Sequence, residues 1–116
     1  MVFNTIEEKI KEKSETLVIL EFTIPQSCAY FDGHFPGFSI LPAVAQIDLA
    51  VRFASRYFGT SVLLLEIKKV KFSSIIKPDA PLQLKLERKD KIISFSFTSS
   101  LDDTVYSKGT VIQGEE

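Results

Sequence analysis

PAVAQIDLAVRFASRYF, residues 42–58, reads as a helix. It holds no glycine and no proline after Pro42, and good helix formers fill it. Proline suits a first helical position, because the N–H it lacks would have no partner there. Gly59 follows at once, as a helix stop. The spacing predicts a helix from residue 42 to about residue 57. Val44, Ala45, Ile47, Leu49, Ala50, Val51, Phe53 and Ala54 occupy nearly every side of it. A helix so apolar is expected to be buried on most faces.

Strands are expected on both sides of this helix. Residues 6–13 alternate weakly through Ile6 and Ile10 and suit an edge strand. Residues 16–24 are rich in Val, Ile, Phe and Thr and suit a more buried one. Four strands follow the helix, over residues 62–72, 82–88, 92–98 and 104–112. Leu82, Leu84 and Leu86 alternate cleanly, as do Ile93, Phe95 and Phe97. Ile67 falls out of step with Val70, which predicts a bulge near Lys68. Pro78, Asp79 and Pro81, then Lys89-Asp90-Lys91, then Asp102-Asp103 mark short turns, so these strands should be antiparallel. Two strands, one apolar helix and four strands have one compact solution. It is an α+β fold in which an antiparallel sheet of five to six strands wraps around one long buried helix. No repeat or linker interrupts the chain, so residues 1–116 form one domain.

Composition narrows the function. The net charge is -1, which argues against nucleic acid. No segment is a basic amphipathic helix or a long apolar span, so no membrane contact is expected. The charged opening MVFNTIEEKIKEK lacks the apolar region of a secretory signal, so a cytoplasmic location is expected. Cys28 stands alone, which excludes an internal disulfide and favours a small buried hydrophobe over a nucleophile. One histidine and scattered acids offer no metal-ligand cluster, so neither metal nor cofactor is expected.

The chemistry is expected around the helix start. Residues 26–41 form a turn-rich aromatic loop, with Asp32-Gly33, Pro36 and Gly37 among Phe31, Phe35 and Phe38. The lone histidine, His34, lies within it. Leu41 precedes the helix and has no side-chain acceptor, so the amides of Ala43 and Val44 are left to donate elsewhere. With the partial positive charge of a helix N-terminus, they suit a carbonyl oxygen that gains charge during a reaction. One acid, Asp48, lies about 9 Å further along the axis, among Val44, Ala45 and Val51. A carboxyl buried there must be protonated, hydrogen-bonded or paired, and the protonated form suits a general acid. Plainer readings exist for each. Asp48 is placed to pair with Arg52, four residues on. His34 suits an ordinary hydrogen-bonded loop residue, and the loop phenylalanines suit core plugs.

The stretch from His34 through Phe35, Pro36, Gly37, Phe38, Ser39, Ile40, Leu41, Pro42 and Ala43 to Val44 resembles a family signature. The signature is His-Phe-Pro-Gly-x-Pro-(Val/Leu/Ile)-x-Pro-Gly-Val, of the 3-hydroxyacyl-(acyl carrier protein) dehydratases with the hot-dog fold. Asp48 stands fourteen positions past His34, as in that family. The text LPAVAQIDLA is most similar to the subgroup found in aryl-polyene and related biosynthetic clusters. Ile67-Lys68-Lys69-Val70-Lys71-Phe72, followed by Ile75, Pro78 and Leu82, is similar to the strand and turn after the family's helix. Ser39 and Ala43 replace the usual Pro and Gly, and an alanine still donates its amide.

The resemblance implies a homodimer or a trimer of dimers, with the site at the interface between two chains. His34 of one chain removes a C2 proton from a 3-hydroxyacyl thioester. Asp48 of the other protonates the departing C3 hydroxyl, while the amide at Ala43 polarises the thioester carbonyl. The product is a trans-2-enoyl thioester. Phe31, Phe35, Pro36, Gly37 and Phe38 are the implied acyl-binding residues, with no cofactor and no metal. Acyl carrier protein is the implied partner, and Arg52, Arg56, Lys68, Lys69 and Lys71 offer a basic surface for it. Two other uses of the fold stay open: thioester hydrolysis, which usually dispenses with the histidine, and a non-catalytic acyl-binding subunit, which Ala43 would suit.

Overall fold

The computed structural model describes residues 6–28, Phe31 and 40–114. The elements run β1 (Lys9–Lys13), β2 (Leu17–Phe22), α1 (Ala43–Phe58), β3 (Leu64–Phe72), β4 (Leu82–Lys89), β5 (Ile92–Ser99) and β6 (Val105–Gln113). The strands make one sheet in the order β1-β2-β4-β5-β6-β3, with antiparallel neighbours throughout.

Strand alternation makes one face of this sheet apolar. Leu20 pairs with Leu84, Leu84 with Phe97, and Phe97 with Ser107. The next row is Val18, Leu86, Phe95 and Gly109. The apolar members of both rows are buried, and α1 lies among them through Leu49, Ala50, Phe53 and Ala54. The Phe53 ring meets that of Phe22 at a centroid distance of 5.3 Å. Gly109 has no side chain because there is no room for one: a Cβ would come within 2.7 Å of Val70 and 2.8 Å of the Phe95 ring.

Boundaries move by one to three residues from the sequence expectation, and the causes are local. Pro42 is the N-cap, with φ -69 and ψ 157, and the helix begins one residue later than expected. That extended ψ keeps Pro42 outside the helix. Gly59 closes α1 in the left-handed conformation, φ 71, and its N–H donates to Ser55 O. β1 starts at Lys9, three residues later than expected, leaving Ile6 as a core residue outside the strand. The β3–β6 register slips between Lys68 and Lys71, with Lys69 at φ 48, where the bulge was expected. A second slip, between Leu64 and Glu66, was not foreseen.

The helix is less enclosed than its composition suggests. Its inner face carries Ala45, Gln46, Leu49, Ala50, Val51, Phe53 and Ala54, while Val44 is 78% exposed. The sheet covers one side of the cylinder only. β3 is likewise open: Leu65, Ile67 and Phe72 are exposed on the edge of the sheet. Among the described residues no helix is long and apolar enough to cross a membrane.

Candidate active site

The helix start is open. Pro42 makes no side-chain capping bond and the first turn contains no acid. Among the described residues, the first helical amide with a backbone partner is that of Gln46, which donates to Pro42 O at 3.1 Å. Ala43 and Val44 are exposed, at the end of the helix that carries the positive dipole.

Asp48 lies one turn along, on the same side as Val44. It is not embedded in apolar surroundings, as the sequence suggested. Its side chain is 38% exposed, and both carboxylate oxygens accept from Arg52 Nε at 3.0 Å. The plainer reading, an i,i+4 pair, is what forms within the chain. Val44, Asp48 and Arg52 thus make a stripe along the face that the sheet does not cover.

His34, Phe35, Pro36, Gly37 and Phe38 lie outside the described residues. Phe31 is described, and it is a core residue: it is buried, and its N–H donates to Cys28 O at 3.0 Å. Cys28 is buried beside it with a free thiol, as a small hydrophobe. Among the described residues no three His, Cys, Asp or Glu side chains group to hold a metal.

One polar residue at this end escaped the sequence reading. Gln46 is 3% exposed, on the inner face of α1. Its Nε2 donates to Leu41 O at 3.1 Å, and its Oε1 accepts from Ser107 Oγ at 2.7 Å. The available signal was an uncharged polar residue in the apolar first turns of the helix, two positions before the acid.

The opposite end of α1 is fastened by charge. The Glu8 carboxylate accepts from Arg56 Nη1 and from Tyr57 Oη. Arg56, a candidate for a free basic surface, is therefore engaged within the chain. Burial pushes the Glu8 carboxyl up, yet the hydrogen bonds from Arg56 and Tyr57 outweigh it and hold it below the ordinary value of 4.5. Burial and then Glu8 push the Tyr57 phenol up to about 12. A lowered folded-state value means that Glu8 stabilises the fold above its unfolded-state value, and that this contribution is lost as pH falls through the folded-state one. Glu8→Gln should lower the Tm at neutral pH and flatten its fall below the ordinary value of 4.5. The loss at neutral pH should be about 1 kcal/mol, since the Glu8 carboxylate is largely covered while Arg56 is open to water. An unchanged acid limb in thermal melts would dismiss the role given to Glu8.

Comparison with known proteins fits this geometry. The model of the ApeI-like family, described as ApeI dehydratase, matches residues 9–110. The 3-hydroxyacyl-(acyl-carrier-protein) dehydratase FabZ of Lactiplantibacillus plantarum is 32% identical over 81 residues, covering 63% of this chain and 54% of that protein. The chain thus spans about half the length of this curated relative. Among solved structures, the dehydratase heterocomplex ApeI:P of Xenorhabdus doucetiae superposes with TM-score 0.81 at 24% identity, covering 92% of this chain and 96% of that one. An uncharacterized protein of Erwinia carotovora superposes with TM-score 0.77 at 26% identity, covering 95% and 96%. The sheet order and single helix are those of the hot-dog fold these neighbours share. With the family model matched from β1 to within β6, the chain belongs to the ApeI-like dehydratase family.

Proposed function

We propose that this protein dehydrates 3-hydroxyacyl-(acyl carrier protein) thioesters to trans-2-enoyl thioesters, in fatty-acid-like or polyene biosynthesis. The observation that carries this reading is the family match over residues 9–110, which spans both His34 and Asp48. The uncapped helix start supports it. A thioester carbonyl seated there accepts from the Ala43 amide, with Val44 as the second donor, and the C2 proton becomes more acidic. His34 takes that proton. Asp48 of the adjoining chain delivers a proton to the C3 hydroxyl, which leaves as water as the C2–C3 double bond forms. Phe35, Pro36, Gly37 and Phe38 hold the acyl chain, while Phe31 belongs to the core.

The adjoining chain is a second copy, giving a homodimer or a trimer of dimers. Two features support a two-chain site: the open Val44–Asp48–Arg52 stripe, and the apolar residues exposed on β3. A different hot-dog chain as partner is a second reading. It is favoured by the heterocomplex in which the Xenorhabdus relative was solved. The charge of β3 also favours it, because Lys68, Lys69 and Lys71 outnumber Glu66, and self-pairing brings like charges near one another. Those three lysines are exposed and suit an acidic carrier protein. Arg52 and Arg56 are committed to Asp48 and Glu8. A cytoplasmic location accompanies a carrier-protein substrate.

The test is incubation of the purified chain with 3-hydroxyacyl-carrier-protein of several lengths, read by mass spectrometry. Loss of one water from the acyl group is expected. Loss of the whole acyl group would instead make the protein a thioesterase. No change, alone and with a co-expressed hot-dog partner, would leave a non-catalytic subunit.

A further inference from the structure

Leu41 directly precedes the N-cap Pro42, and both of its backbone polar groups are engaged in a buried setting. Its N–H donates to Ile76 O, in the β3–β4 connection, at 2.8 Å. Its C=O accepts from Gln46 Nε2 at 3.1 Å. Gln46 is in turn held by Ser107, whose hydroxyl donates to Gln46 Oε1 at 2.7 Å. Ser107 is fully buried on β6, paired with Phe97 on one side and Phe72 on the other. A buried amide and a buried hydroxyl in an apolar core are costly unless matched, and here each partner satisfies the next. A leucine at position 46 would fill the same interior without any polar group to match.

From this chain of bonds we infer that Gln46 is a positioning residue for the candidate site. It fixes Leu41, and through it the place of the Ala43 and Val44 amides relative to the sheet. The relay begins on β6, which is paired on both sides by β5 and β3, and ends at the residue before Pro42. It therefore sets the helix start relative to the sheet rather than adding to helix stability in general. Gln46 touches neither substrate nor reacting atoms. The inference rests on the dehydratase reading for its kinetic consequence only; its structural consequence stands apart from it.

Two variants test it. Gln46→Met keeps the volume and removes both bonds; Ser107→Ala removes only the anchor. In Gln46→Met, kcat for dehydration should fall about tenfold or more while KM stays within about twofold, because losing these two hydrogen bonds shifts the geometry rather than substrate capture. Ser107→Ala should fall about threefold in the same sense. Hydrogen exchange at the Leu41 and Gln46 amides should quicken about tenfold in Gln46→Met, with the β4–β5 hairpin unchanged. Unchanged exchange at those two amides in a folded variant overturns the inference. So does a loss of activity carried by KM, or a uniform rise in exchange over the whole sheet, which marks a merely structural residue. If wild-type protein shows no dehydration, the exchange result alone decides for Gln46, and the activity reading fails separately. If Gln46→Met does not fold, the kcat, KM and exchange of Ser107→Ala decide in its place.

Discussion

Asp48→Asn and His34→Ala should each lower the rate of 3-hydroxyacyl dehydration by at least about a hundredfold, the usual contribution of a positioned acid or base. Asparagine keeps the shape of Asp48 and can still meet Arg52, but it has no acidic proton to deliver to the C3 hydroxyl. The Asp48–Arg52 pair sharpens the expectation. Both oxygens of Asp48 face one guanidinium nitrogen at 3.0 Å, on a side chain that water still reaches. A surface pair of this kind contributes little to stability. Asp48→Asn should therefore leave the thermal midpoint almost unmoved while activity collapses. A purely structural Asp48 predicts the opposite pattern, a changed midpoint with turnover preserved. Mixing the two inactive variants tests the shared site. Partial recovery is expected after chain exchange, because every mixed pair carries one intact His34–Asp48 combination beside one that lacks both groups. Wild-type turnover in either single variant removes that residue from the mechanism.

Phe53→Ala should destabilise the fold by about 3 to 5 kcal/mol, measured by urea unfolding monitored by circular dichroism. Phe53 is fully buried on the inner face of α1, its ring set against Phe22 of β2 and the Arg56 guanidinium 5.6 Å from its centroid. Truncation opens a cavity where helix and sheet meet, in a domain whose total stability is on the order of 5–15 kcal/mol. Val44→Ala, on the same helix but open to water, should shift stability by no more than about 0.5 kcal/mol. A loss under about 1 kcal/mol for Phe53→Ala would mean that α1 is not the centre of the core.

The contrast between Phe53 and Val44 marks the limit of what pattern alone conveys. Both are apolar residues in one apolar helix, and composition gives no reason to separate them. Strand alternation was far more legible. Leu82, Leu84 and Leu86, and Ile93, Phe95 and Phe97, are buried as their period-two spacing requires, because a strand has only two faces. The bulge on β3 was legible too, since one extra residue breaks that period. Asp48 was harder. Its apolar neighbours in sequence suggested an interior acid, but the sheet covers only the opposite side of α1, and the carboxylate turns outward to Arg52. Glu8 meets Arg56 and Tyr57 across a separation of nearly fifty residues, which no local pattern encodes. Gln46 meets Ser107 across 61 residues of chain, which the local pattern does not encode either.

The chain on its own determined six strands, one helix, their order, and a histidine motif with an acid at a set spacing, because these follow from periodicity, turn chemistry and residue type within a few positions. The tertiary structure alone decided which face of α1 is covered, which edge strand stays open, and how Leu41 is held between Ile76 and Gln46. Those features depend on groups far apart in sequence meeting in space, where burial and hydrogen bonding are settled by the partner each group finds.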